Sequence, residues 1–349
     1  MSFISMVGPY RRAGKYLHSV RTRRLRRYCV WALVYVLSLC SGCTDEMQTG
    51  TITGAARQIR ELPVGPMSLQ DVLPADVEPS LRLGITPYLP AAQMVEQFTP
   101  IVRELSSLLE LPITLIPVQS YAELIEHVAA RKVDIAILPP FSYVKAAERM
   151  PDLQIAAQQL AWGESEYSAN IMVKDDNAAK SIEDLSGRIT FVDENSTSGF
   201  LFPYHAFLSA GIEPEHAFDS IGYAGTHIDA IRQLAHGETD AIAVAAGMVE
   251  AAANGNPPID VSSLRVLANV GRVPYDVVTV SGRLGAVAAE RIGMAFGRLD
   301  CRTSRGRELL KPTVAITGWV QADDSSYERI REMYRRVLEH RTAKKSGRP

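Results

Sequence analysis

Three consecutive hydroxyl side chains, Ser196, Thr197 and Ser198, follow a short β-branched and aromatic run at residues 189–192. That run reads as a buried strand. A helix is predicted to open around residues 198–200 and to stop at Gly211. The triplet therefore sits where a strand ends and a helix begins. Free backbone N–H groups and the positive end of a helix dipole converge there, so the place attracts anions. The hydroxyls add donors that rotate to suit a tetrahedral oxyanion. The same residues would serve equally well as a plain helix cap. Asp193 and Glu194 would repel an anion unless they turn away. His227 follows Gly225 and Thr226 at a second strand-to-helix junction, as a donor to an anion or as a solvated cap. Tyr88, Ser142 and Tyr143 lie on loops after predicted strands, as ligand contacts or as half-buried packing residues.

The elements around these residues alternate. Strands are predicted at 81–86, 113–118 and 133–138, with helices at 93–109, 121–130 and 144–149 between and after them. A strand at 153–160 and an extended passage at 161–173 lead to a second series. That series has strands at 189–192, 217–223 and 240–245, and a helix from about residue 228 to Gly237. Strands at 264–270 and 272–280 follow, then helices at 286–298, 304–310 and 327–341. This is the rhythm of a parallel α/β sheet, repeated. In such sheets ligands bind at the carboxyl ends of the strands, where all the residues above are placed.

The 349 residues carry a formal net charge of -2 that hides an asymmetry. Eight of the 37 Lys and Arg lie in residues 1–42, which hold no Asp or Glu; the rest has 29 basic residues against 39 acidic. An acidic body is a poor general nucleic-acid binder, so any anion must be captured by local geometry. The basic cluster precedes a short apolar run and Ser41-Gly42-Cys43, the pattern of a secretory signal. The run is too short for a comfortable membrane span. An uncleaved N-terminal anchor is the competing reading, and Met6 is an alternative start. Either way the body lies outside the cytoplasm. Of the four cysteines, Cys29 and Cys40 fall in the signal, leaving Cys43 and Cys301; no disulfide framework or cysteine metal site is expected. Seven scattered His form no metal cluster, and no Ser-His-Asp spacing or phosphate-binding P-loop is present, so neither catalysis nor a cofactor is expected.

Four segments carry a resemblance: Leu83-Gly-Ile-Thr-Pro-Tyr88; Lys-Val-Asp-Ile-Ala-Ile-Leu-Pro-Pro-Phe-Ser-Tyr-Val at 132–144, with Pro139 for the usual Gly; Val-Asp-Glu-Asn-Ser-Thr-Ser-Gly-Phe-Leu-Phe-Pro at 192–203; and Ala224-Gly-Thr-His227. Together they resemble the phosphate/phosphite/phosphonate-type substrate-binding proteins of ABC transporters, over about residues 81–340. Gly318-Trp319 and the residues up to Tyr327 are in character. Ser41-Gly42-Cys43 resembles a bacterial lipobox, with Cys40 where an aliphatic residue is usual. The resemblance implies a type II periplasmic-binding fold: two α/β lobes joined by two crossing segments, with ligand held in the cleft. Lobe one is placed at 81–168 plus 275–341 and lobe two at 169–274, after a signal at 1–42 and a tether at 43–80, and before a basic tail at 342–349.

What the resemblance further implies is a monomeric periplasmic lipoprotein, lipidated at Cys43, that captures a small phosphorus oxyanion and delivers it to an ABC transporter permease. Ser196, Thr197, Ser198 and His227 would bind the phosphonyl oxygens, with Tyr88, Tyr143 and Ser142 opposite. Many relatives carry an acidic residue just after the strand at 240–244, suited to an aminoalkyl group. Ala245-Ala246-Gly247 stands there, which favours phosphite, methylphosphonate or phosphate over an aminoalkylphosphonate. Two rivals differ in class: presentation of ligand to a membrane sensor kinase, and a thiamine-pyrimidine-synthase-like enzyme on the same fold.

Overall fold

The computed structural model describes residues 61–310 and 316–345. The predicted signal, Cys43 and the first part of the predicted tether lie outside the described residues. The first lobe runs β1 (Leu81–Ile85), α1 (Ala91–Leu109), β2 (Ile113–Ile116), α2 (Tyr121–Ala129), β3 (Ile135–Leu138), α3 (Pro140–Arg149) and β4 (Gln154–Ala161). The chain crosses over as β5 (Glu166–Lys174). It continues through β6 (Arg188–Phe191), a π-helical turn (Thr197–Leu201), α4 (Phe202–Ser209), α5 (Pro214–Ala217), β7 (Ser220–Tyr223), α6 (His227–Ala235), β8 (Ala241–Ala245), α7 (Gly247–Ala253) and β9 (Leu264–Pro274). It returns as β10 (Val277–Val280), α8 (Ala286–Gly297), α9 (Ser304–Leu309), β11 (Ile316–Val320) and α10 (Glu328–Lys345).

Two sheets result, ordered β11-β4-β10-β3-β1-β2 and β7-β6-β8-β5-β9. The strands of each βα series are parallel, and β5, β10 and β11 are antiparallel to their neighbours. Strands β3 and β8 are buried at every position, as expected of parallel strands with helices on both faces. Helix α1 shows why sequence patterning worked: its buried Met94, Phe98, Ile101, Val102, Leu105 and Leu109 recur at helical spacing. This is the two-lobed type II periplasmic-binding architecture.

The crossing segments hold each other. Glu166 on β5 pairs with Pro274 on β9. Beyond that pair, Tyr275 N–H donates to the Ser165 carbonyl at 3.0 Å and Gln159 N–H to the Asp276 carbonyl at 2.8 Å. The crossing falls at residues 162–165, a few residues before the boundary expected at 168. The lobes also touch at the start of α3. Phe141 N–H donates to Thr197 Oγ1 at 2.9 Å, and Ser142 Oγ donates to the Asn195 carbonyl at 3.0 Å. Helix α10 rests on both sides of this seam: Tyr334 packs edge-on against Phe141 at 4.9 Å, and Arg341 reaches Glu194 at 2.6 Å.

Two expectations need correction. Residues 61–80 are not a free tether. Leu69 is fully buried, and its N–H donates to the Leu109 carbonyl at 3.0 Å. Arg291 holds Asp71 at 2.6 Å and also donates to the Ser68 carbonyl. Leu62, Met67, Val72 and Leu73 pack against the core. Leu69, Val72 and Leu73 stand at helical spacing, but over a single turn, closed by Leu73 N–H to the Leu69 carbonyl at 3.2 Å, too short a stretch for periodicity to mark it as packed. The basic tail is also shorter than expected, since α10 continues to Lys345.

Candidate functional site

Five helix starts meet in the cleft. Tyr121 begins α2, Pro139 caps α3, Ser196 caps the π-helical turn, His227 begins α6 and Gly247 begins α7. All five residues line one cavity of about 50 Å³. At roughly 10–15 Å³ of such volume per water, it holds about three to five waters, the size of a small tetrahedral ion. No Lys or Arg is among the lining residues. The helix dipoles supply positive potential there.

The π-helical turn is shaped by Gly199. A Cβ there would lie 2.5 Å from both Val192 Cβ and Cγ2. Its carbonyl accepts from Val192 N–H at 3.0 Å, and its N–H donates to Ser196 Oγ at 3.0 Å. This close contact turns Ser196 and Ser198 toward the cavity. Ser198 Oγ accepts from Tyr167 OH at 3.1 Å. Asp193 and Glu194 turn away: Asp193 accepts from Asn195 N–H at 2.8 Å, and Glu194 pairs with Arg341.

His227 is buried, and its Nδ1 accepts from the Ala245 backbone N–H at 3.3 Å. The ring proton is thereby placed on Nε2. Burial lowers the imidazole to about 3, so at neutral pH it is an uncharged donor. Asp276 lies on the second crossing segment and also lines the cavity. Burial without a charged partner pushes its carboxyl up to about 7, so near neutrality a large fraction is protonated and can donate. Burial likewise raises the Tyr88, Tyr121 and Tyr167 hydroxyls, and Tyr275 to about 12. All four line the cavity as neutral groups. Tyr167 and Tyr275 pack ring to ring at 4.8 Å. The site thus offers neutral donors on one side and an aromatic wall on the other.

A family model described as "ABC transporter, phosphonate, periplasmic substrate-binding protein" matches residues 83–327. The chain belongs to this family. Membership makes it a periplasmic substrate-binding protein of an ABC transporter. It is 24% identical over 268 residues, 74% of this chain and 89% of the relative, to "Probable ABC transporter phosphite binding protein PhnD1" of Prochlorococcus marinus strain MIT 9301. It is 26% identical over 230 residues, 62% of this chain and 64% of the relative, to the "Phosphonates-binding periplasmic protein" of Escherichia coli K12. Among solved structures, Prochlorococcus PhnD1 in complex with methylphosphonate superposes with a TM-score of 0.66 at 23% identity, covering 74% of this chain and 98% of that one. A binding-protein component of a Pseudomonas aeruginosa phosphonate transporter gives 0.68 at 20% identity, covering 75% and 87%.

Within this family member, Ser196, Ser198, His227 and Tyr88 converge on the cavity, whereas Thr197, Ser142 and Tyr143 do not line it. Thr197 and Ser142 are spent on the seam between the lobes. Tyr143 donates to Asp324 Oδ1 at 2.6 Å and packs edge-on against Tyr327. The reason is local. Helix α3 starts at Pro140, not after Tyr143, so Ser142 and Tyr143 lie on its first turn and not on a loop facing the cleft, and its free Phe141 N–H takes up Thr197. Sequence reasoning missed Tyr121, Gln159, Trp162, Tyr167, Tyr275 and Asp276. Tyr121 carried a usable signal, since it follows a strand end just as Tyr88 does. The others lie on or beside the crossing segments, which border any cleft. The carboxyl sought after β8 is absent, but Asp276 brings one from elsewhere in the chain, so that absence does not by itself disfavour an amine-bearing ligand.

Proposed function

We propose that this protein captures a small phosphorus oxyanion, phosphite or methylphosphonate, in the periplasm and delivers it to an ABC importer. The observation that supports this most is the cavity of about 50 Å³ at five helix starts, lined by Ser196, Ser198 and His227 and free of Lys and Arg. Dipoles and hydroxyls replace the hydration of the anion. The aromatic wall of Tyr88, Tyr121 and Tyr275 suits a P–H or P–CH3 face better than a fourth oxygen, which would lose its hydrogen bonds there. Calorimetric titration with phosphite, methylphosphonate, phosphate and 2-aminoethylphosphonate tests the reading. The two small ligands are expected to bind at least tenfold more tightly than the others; binding of none of the four would overturn it.

The Asp276 carboxyl makes binding depend on pH. At about 7 in the free protein, it is raised further by a neighbouring anion, so binding takes up a proton. Affinity is therefore lost as pH rises above about 7, by up to about tenfold per unit. His227, at about 3, does not titrate in that window in the free protein. Ionisation of the ligand is common to both proteins and cancels in the ratio of dissociation constants between wild type and Asp276→Asn. That ratio should change between pH 6.5 and 8.5. Parallel profiles would remove Asp276 from the site.

Cys43 is proposed to carry the lipid that holds the protein at the membrane. The wild type should incorporate labelled palmitate in cells, and Cys43→Ala should lose the label and move to the soluble periplasmic fraction. Retention of the label by the variant would refute the anchor.

A further inference from the structure

One wall of the cavity is formed by a residue in an uncommon backbone conformation. Trp162 and Gly163 are the two central residues of the tight turn between β4 and β5, closed by Ala161 N–H to the Glu164 carbonyl at 3.1 Å and the reciprocal bond at 2.9 Å. Both have positive φ, +51° for Trp162 and +77° for Gly163. This type of loop strongly prefers Asn-Gly or Gly-Gly, because other side chains are strained there. Trp162 is not held there by a core: it is 46% exposed. Its ring nevertheless lines the cavity together with Gly247 and Met248 of the opposite lobe. The loop is fixed to the first lobe through Gly163 N–H and Thr317 Oγ1 at 3.0 Å. Gly247 leaves room for the indole. A Cβ at that position would lie 2.3 Å from Trp162 Cη2 and 2.8 Å from Cζ3.

We infer that Trp162 is a lid that sets how long a substituent the bound oxyanion carries, and that the absence of a side chain at Gly247 keeps the lid shut. The inference rests on the oxyanion reading above and adds its selectivity. A hydrogen or methyl group fits beneath the indole. A chain of two or more further atoms meets the ring and holds the lobes apart. Since the loop moves with one lobe and Gly247 with the other, the lid closes only as the lobes close.

The test is a series of methyl-, ethyl-, propyl- and 2-aminoethylphosphonate, titrated calorimetrically into wild type, Trp162→Gly and Gly247→Ser. Glycine suits the φ of position 162, so the loop survives the first substitution. The serine side chain displaces the indole in the second. Wild type should lose at least tenfold in affinity from methyl to propyl. Both variants should reduce that ratio at least tenfold. A wild type that binds the whole series equally, or variants that keep the wild-type ratio, would overturn the lid while leaving the oxyanion reading intact. A wild type that binds no member of the series would overturn the lid, and one that also fails to bind phosphite would overturn both.

Discussion

Replacing His227 by alanine is expected to weaken methylphosphonate binding by about 10- to 150-fold. The estimate follows from about 1.5–3 kcal/mol for one hydrogen bond to a charged group. The donor is the Nε2–H, fixed because Nδ1 is occupied by the Ala245 N–H. Truncation also strips that buried N–H of its partner, at a cost of about 1–3 kcal/mol of stability. His227→Gln, whose amide offers both an acceptor and a donor, should recover part of both losses. Calorimetry and thermal melting read the two effects separately. A dissociation constant within twofold of wild type in His227→Ala would exclude the imidazole as a ligand contact.

The second large effect is expected from Gly199→Ala. The added methyl group meets Val192 Cβ at 2.5 Å, an atom fixed to a strand end and unable to rotate away. Overpacking of this kind costs about 1–3 kcal/mol, which corresponds to a fall in melting temperature of about 2–4 °C per kcal/mol. Because the π-helical turn is what aims Ser196 and Ser198, binding should weaken more than tenfold as well. Gly211→Ala is the control. Its φ of +74° makes a side chain strained, but nothing lies within 4 Å of the new Cβ. It should cost about 1–2 kcal/mol and leave affinity unchanged. Equal behaviour of the two variants in both melting and binding would show that crowding at Gly199 does not shape the site.

The contrast between these glycines shows where sequence reasoning stops. Alternation of strand and helix, the junctions at Ser196–Ser198 and at His227, and the acidic body after a basic leader are local properties, and the chain states them residue by residue. Hence the repeated α/β rhythm and the strand-to-helix junctions could be read directly, whereas the two lobes were implied by the resemblance to a known family. The predicted helix at residues 198–209 exists, but its first turn is π-helical because Gly199 must press against Val192, a contact made by tertiary packing.

The chain by itself determined which residue types stand at strand ends, and therefore where an anion would be drawn. Only the tertiary structure decided which of them share a cavity. Thr197, Ser142 and Tyr143 carry the right chemistry, but the early start of α3 commits them to the lobe seam and to Asp324. Asp276, Tyr275 and Trp162 carried no local signal, yet the crossing segments deliver them to the cavity. The reason is physical. Periodicity encodes which face of an element is buried, whereas the cavity is assembled from residues far apart in sequence whose proximity depends on how two sheets are joined.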